Sequence, residues 1–208
     1  MSKFYAVKKG RNPGIYETWN ECEQQVKGFS GAAFKSFALR SDAEDYMGIS
    51  TGEKKDGNFS EEEIRKLVNN MSKITAFVDG SYDDIKKQYS YGLVALGMGK
   101  VYTDGCADFN PVSLPMRNVA GEILGAQFAM IYAMDNGIKE LDIYYDYEGI
   151  ENWATGAWKC KKSATQEYKR FFDSTKDKLN VNFHKVPAHT GIVFNEMADG
   201  LAKKALGI

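Results

Sequence analysis

ITAFVDGSYDD, Ile74 to Asp84, is the stretch on which the reading of the fold turns. Ile74-Thr75-Ala76-Phe77-Val78 has the apolar, β-rich character of a buried strand, and it runs straight into Asp79, then Gly80 and Ser81. A carboxylate buried at a strand end costs on the order of several kcal/mol unless a cation or hydrogen-bond donors compensate it. Taken alone, Asp-Gly-Ser is also ordinary turn chemistry. The surrounding pattern has to decide between these readings.

Downstream, Tyr89–Leu96 and Lys100–Cys106 are two further β-rich stretches with short glycine-containing connections, which suits an antiparallel meander. Val119–Met134 carries apolar residues at helical spacing and is stopped by Asn136-Gly137. Leu141–Tyr145 is a strand that again ends in an acid, Asp146. A short helix over Tyr147–Thr155, a longer one over Thr165–Lys178, a strand over Val181–Val186 and a terminal helix over Asn195–Leu206 complete the chain. The order βββαβαβα, with small variations, implies an α/β domain: a five-stranded mixed sheet with helices on both faces.

Functional groups in such sheets collect outside strand ends, where Asp79 and Asp146 fall. Glu122 is expected in the first turn of the long helix, where an acid also suits the helix dipole, and Asp199 in the terminal helix. These four carboxylates, with no opposite charges nearby in sequence, would repel one another if they converged. A divalent cation is the simplest stabiliser. Hard oxygen ligands, without clustered cysteines or paired histidines, favour Mg²⁺ or Mn²⁺ over zinc.

The N-terminal region reads differently. Lys3–Lys8 and Ile15–Thr18 form a hairpin about Arg11-Asn12-Pro13-Gly14; Trp19–Val26 is a helix with a Thr18/Glu21 capping box; Ala33–Phe37 is a third strand. Ser41 with Glu44 opens another helix to about Met47, giving a small ββαβα unit. Gly48–Gly57 is rich in Gly, Lys and Asp, as a linker would be. Ser60-Glu61-Glu62-Glu63 caps a short helix that either leads into the next domain or packs on it. The expected division is 1–47, a 48–72 linker with that helix, and 73–208.

Charge follows this division. The 208 residues carry a net −1 at a pI of about 6.2, which excludes a chain coated in positive charge and leaves nucleic acid to local patches. Residues 1–40 hold seven basic and three acidic side chains, a net +4, so the rest stands at −5. Hydrophobic residues at 43% and aromatics at 13% suffice for a folded core. Three scattered cysteines without CxxC spacing suit reduced thiols, and no signal-like or membrane-spanning apolar run is present. A cytoplasmic chain is expected, with no membrane association and a bacterial leaning; no protein partner is implied, and a monomer is expected.

The succession FVDGS, NVAGE, YYDYEGI, VPAHTG and NEMADGLAKKA resembles the type 1 ribonucleases H over about Ile74 to Gly207. That resemblance implies the ribonuclease H-like fold and endonucleolytic hydrolysis of the RNA strand of RNA–DNA hybrids. It further implies two Mg²⁺ ions, with Mn²⁺ a possible substitute, and 5'-phosphate and 3'-hydroxyl ends. Its catalytic set maps onto Asp79, Glu122, Asp146, His189 and Asp199. Asp79 would bridge the ions, with Glu122 and Asp146 on one and Asp199 on the other. His189, in the small-residue loop Ala188-His189-Thr190-Gly191, would shuttle a proton or aid product release; in isolation it is an ordinary loop histidine.

Gly80, Ser81 and Asn118 match positions that contact the RNA strand. Glu148 stands where some relatives have a glutamine that touches RNA. The basic run Trp158-Lys159-Cys160-Lys161-Lys162 could hold the DNA strand or be a solvated helix terminus.

The head FYAVKKGRNPGIYETWNECEQQVKGFSGAAFKSF resembles the hybrid-binding, viroplasmin-like domain that precedes some type 1 ribonucleases H. By that correspondence Tyr5, Trp19, Phe34 and Lys35 contact the hybrid, while a second lysine usual after Lys35 is Ser36 here. The plainer reading makes these aromatics the core of a tiny domain, and for Tyr5 the two readings are nearly balanced. Three rivals remain: a binding protein with a decayed nuclease domain, another nuclease or transferase of the superfamily such as an exonuclease or integrase, and a viroplasmin-type structural protein. The full carboxylate set argues against the first and third, the head and the His189 loop against the second.

Overall fold

A computed structural model of the chain describes residues 4–37, 43, 46–47, 59–187 and 192–208. The chain divides into two compact units, Met1–Lys55 and Asp56–Ile208.

In the first unit, β1 (Phe4–Lys9), β2 (Gly14–Tyr16), α1 (Trp19–Val26) and β3 (Ala33–Phe37) follow the expected order, with an antiparallel sheet β2-β1-β3. Thr18 and Glu21 cap α1 reciprocally. The Arg11 guanidinium donates to the carbonyls of Gln24 and Lys27, pinning the hairpin tip to the end of the helix. The buried core is small: Val7, Cys22 and Val26, flanked by Tyr5, Tyr16 and Ala32. Of the helix expected over 41–47, Ala43, Tyr46 and Met47 are described and are helical; the linker expected over 48–57 lies outside the described residues.

The larger unit opens with α2 (Glu61–Val68), which carries the Ser60/Glu63 capping box. Of its two expected placements the second holds. Phe59, Ile64, Leu67 and Val68 pack on the cluster around Phe77, Val94 and Phe194, and the N–H groups of Met98 and Gly99 donate to the carbonyls of Asn70 and Val68. Then come β4 (Lys73–Asp83), β5 (Gln88–Gly97), β6 (Lys100–Asp108), a single 3-10 turn at Leu114–Met116, α3 (Asn118–Asp135), β7 (Glu140–Tyr145), α4 (Gly149–Thr155), α5 (Ser163–Thr175), β8 (Asn180–Lys185) and α6 (Val193–Leu206). The sheet order is β6-β5-β4-β7-β8, antiparallel through β6, β5 and β4 and parallel through β4, β7 and β8. Nearly all of β5 is buried because both faces are covered. Alternation sends Ile74, Ala76 and Val78 into the core shared with α3 and α5, and Phe77 into the opposite core with α6 and α2. Among the described residues no helix is long and apolar enough to cross a membrane.

One expectation needs correction. Asp79 does not end its strand: β4 continues to Asp83, because β5 is equally long and pairs Asp79 with Gly92 and Asp83 with Gln88. What ends is the other neighbour, since the last β4–β7 pair is Phe77 with Tyr144.

Two close approaches set the helices. A Cβ on Gly92 would lie 1.8 Å from the Ala198 carbonyl oxygen of α6, and one on Gly121 of α3 would lie 1.9 Å from the Ser90 carbonyl oxygen of β5. No side chain fits either gap, so glycine lets both helices rest directly on the strands beside Asp79.

Candidate active site

Asp79 sits two residues beyond the last β4–β7 pair, and Asp146 directly follows the end of β7. Two adjacent parallel strands thus deliver two carboxylates to one level. Glu122 arrives from α3 on one side of the sheet and Asp199 from α6 on the other, each carried by a helix seated through a glycine contact. Glu122 is the fifth residue of α3, not in its first turn as expected, because the helix begins at Asn118. The helix dipole therefore gives no reason for an acid here.

Glu122 is 1% exposed, and its Oε2 has no hydrogen-bond partner. Burial pushes its carboxyl up to about 9, and the charges of Asp146 and Asp79 push the same way against one backbone N–H from Tyr147. Asp79 is pushed up to about 7, first by burial and then by Asp146; the N–H of Gly80, donating to Oδ1 at 2.7 Å, offsets part of this. These are the signs of a site short of positive charge. One cation is built in, and the sequence reading missed it: Lys203 Nζ donates to Asp199 Oδ2 at 2.7 Å. The i,i+4 spacing on a helix was the available signal.

Among the described residues no three His, Cys, Asp or Glu side chains already stand as a group able to hold one metal ion. The donors nevertheless fit a hard divalent cation: carboxylate oxygens only, two of the carboxyls raised above their ordinary range first by burial and then by neighbouring carboxylates, and one buried oxygen without a partner.

Of the expected substrate residues, Gly80 lies against α3, where a Cβ would come within 2.1 Å of the Asn118 carbonyl oxygen; Asn118 is exposed, and Ser81 is buried opposite Ser90. His189 lies outside the described residues. A cavity of about 310 Å³ is walled by Val119, Tyr147, Trp153, Lys159, Lys161 and Lys162, with Tyr147 next to Asp146 in the chain. The basic run thus faces a pocket, with Trp153 as an aromatic wall that the sequence reading did not single out. In the first unit Trp19 lies 5.6 Å from Tyr5 and 5.8 Å from Phe34, ring centre to ring centre. Trp19 and Phe34 are each 43% exposed, too much for core residues. Lys35 pairs with Ala6 while Phe34 pairs with Val7, so Lys35 points to the other face of the sheet, near the Phe37 ring. The structure gathers three of the four expected head residues, not Lys35.

Residues 71–207 match the family described as RNase H. The chain belongs to the RNase H family. Its head, residues 3–47, matches the ribonuclease H1 N-terminal domain. The chain is 28% identical to ribonuclease H1 of Homo sapiens across 97% of this chain and 88% of that protein, and 27% identical to that of Rattus norvegicus across 98% and 89%. Similarity to the ribonuclease H of Saccharomyces cerevisiae is 53% identity over 23% of this chain and 14% of that protein. The RNase H1 of the archaeon Halobacterium salinarum shares the fold with a TM-score of 0.53 at 22% identity, over 64% of this chain and 97% of that one. The N-terminal RNase H domain of rv2228c from Mycobacterium tuberculosis gives 0.53 at 20%, over 65% and 94%. The five-stranded mixed sheet is thus the RNase H-like fold, and the chain is a ribonuclease H1 enzyme that acts on the RNA strand of RNA–DNA hybrids. The family is typically metal-dependent.

Proposed function

We propose that Asp79, Glu122, Asp146 and Asp199 hold two Mg²⁺ ions, with Mn²⁺ able to substitute, and that the enzyme cuts internally to leave 5'-phosphate and 3'-hydroxyl ends. The observation that carries this reading is the unpartnered buried Oε2 of Glu122 together with two carboxyls, Asp79 and Glu122, that are both raised first by burial and then by Asp146. Bound divalent ions supply Lewis acidity that activates the attacking water and stabilises the departing 3'-oxygen.

The chain's own residues do the rest. Asp79, Glu122, Asp146 and Asp199 supply the negative charge that retains the ions. Gly80 and Asn118 present backbone and amide groups to the RNA strand, where the 2'-hydroxyl separates RNA from DNA. His189 takes the role that the resemblance implies, shuttling a proton or aiding product release. The pocket walled by Trp153 and the three lysines suits the sugar–phosphate chain of the DNA strand, apolar on one side and cationic on the other. In the head, Tyr5, Trp19 and Phe34 offer aromatic surface to sugars or bases. Tethering that head at 1–47 to the catalytic part at 73–208 raises the local concentration of hybrid and favours long substrates.

The test is hydrolysis of a hybrid, the same RNA in a duplex and the RNA alone, with Mg²⁺ or EDTA and with product ends mapped. Cleavage confined to the hybrid and abolished by EDTA is expected; cleavage persisting in EDTA would overturn the metal assignment. For the head, Trp19→Ala in the full chain is expected to weaken hybrid binding about tenfold while kcat on short hybrids is kept. Unchanged binding would return Trp19 to a structural role.

A further inference from the structure

Next to the carboxylates lies a charge pair that the chemistry above does not use. Glu148 stands two residues past Asp146, immediately before α4. Its side chain makes no capping bond to the helix, and the helix uses its carbonyl, which accepts from the Asn152 backbone N–H at 3.1 Å and from the Asn152 side chain at 2.9 Å. The carboxylate is instead bonded by Nζ of Lys185, the last residue of β8, which pairs with Tyr145 across the sheet. Both side chains are about half exposed. A pair so exposed contributes little to stability, so its consequence falls on what approaches it. Glu151, one helical turn on, accepts the Tyr145 hydroxyl at 2.5 Å.

We infer that Lys185 is a positioning residue for the substrate: by holding Glu148 it masks a carboxylate that would otherwise repel the hybrid's phosphates where they approach Asp146. This rests on Asp146 being a site carboxylate. The end of the sheet already carries Asp79, Glu122, Asp146 and Asp199 against Lys203. Glu148, two residues along the chain from Asp146, adds a further carboxylate at this rim, and exposed charges act over roughly 8 Å at physiological salt. Lys185 cancels it from a neighbouring strand, so the carboxylates meet the polyanion without an extra barrier around them.

A double-mutant cycle tests this in the full chain, with kcat and KM measured on an RNA–DNA hybrid in Mg²⁺ and hybrid binding measured in EDTA. Lys185→Met is expected to lower kcat/KM about tenfold at low salt through KM, with the loss shrinking as salt rises. Lys185→Arg should stay close to the parent. Adding Glu148→Gln to Lys185→Met should restore kcat/KM to within about twofold of the parent, and such rescue excludes misfolding as the cause. A double variant as poor as Lys185→Met, or a Lys185→Met with parental KM at low salt, overturns the masking role. If the parent cuts hybrids and the cycle shows no coupling, the inference alone fails; if the parent neither binds nor cuts hybrids, the functional reading falls with it.

Discussion

Two aspartates on neighbouring strands of one sheet meet burial in opposite ways. Asp142, on β7, is 8% exposed, and burial alone would raise its carboxyl; Lys73 at 2.7 Å and Asn182 at 2.9 Å more than offset this and hold it below its ordinary value. Asp79, on β4, receives one backbone N–H and faces other carboxylates, and it rises to about 7. The first is a finished structural contact. The second is a deficit of positive charge kept open by the fold, and such deficits mark functional sites more reliably than acidity as such. The two are separable by experiment because each predicts a different casualty when the carboxylate is removed.

The largest effect is expected at Asp79. Asp79→Asn keeps the volume and removes one charge, so cleavage of the hybrid should fall by about 10³-fold or more, while the metal-free protein melts no lower than the parent. A variant that melts lower and retains activity would make Asp79 a structural acid like Asp142.

Asp142→Ala should do the reverse. It leaves Lys73 partly buried without its partner and strips Asn182 of an acceptor. Stability is expected to fall by about 2–3 kcal/mol, read as a lower denaturation midpoint, with turnover per folded molecule retained. Loss of activity without loss of stability would break the contrast from the other side.

These assignments also show what the sequence makes legible. The strands, the long helix and the order of the four carboxylates follow from periodicity and from FVDGS, NVAGE, YYDYEGI and NEMADG, because each depends on neighbours in the chain. The compensation does not. Lys73 on β4 reaches Asp142 on the neighbouring β7, and Lys185 reaches Glu148 from β8, and no local pattern announces either. The extension of β4 past Asp79 depends on the length of β5, and the seating of α6 and α3 depends on where Gly92 falls in the paired register and where Gly121 falls on its helix. Lys203 is the exception. It sits four residues from Asp199 on one helix, legible in principle, and the expectation of carboxylates without nearby opposite charge overlooked it.

The pH dependence should divide along the same line. Unfolded Asp and Glu titrate near 3.9 and 4.3, whereas folded Asp79 and Glu122 titrate at about 7 and about 9. Between those values the folded, metal-free chain binds more protons than the unfolded chain, so its stability falls as pH rises from about 4 to about 9. Asp142 has the opposite sign: its contribution is present above its unfolded value and is lost as pH drops through the lower folded one. Melting in EDTA between pH 5 and 9 should show a declining midpoint. Mg²⁺ should raise and flatten that curve, since the ions bind the ionised site in the folded state only. Asp79→Asn should remove part of the decline between pH 5 and 7. A flat curve in EDTA would mean that the site is compensated after all.

The smallest effect is expected at Asp199, which stands between the two extremes: it belongs with the carboxylates of the site but already has Lys203 at 2.7 Å. Both side chains are partly exposed, so the pair itself is worth about 0.3–0.5 kcal/mol, typical of i,i+4 contacts. Lys203→Met should therefore lower the metal-free midpoint only slightly. Its larger consequence is on the difference between metal-free and metal-bound protein. With the internal cation gone, Asp199 joins Asp79 and Glu122 in needing an external one, and the rise in midpoint on adding Mg²⁺ should grow. If that rise instead stays the same, Lys203 is not standing in for a metal charge, and Asp199 belongs with Asp142 among the carboxylates the fold has already satisfied.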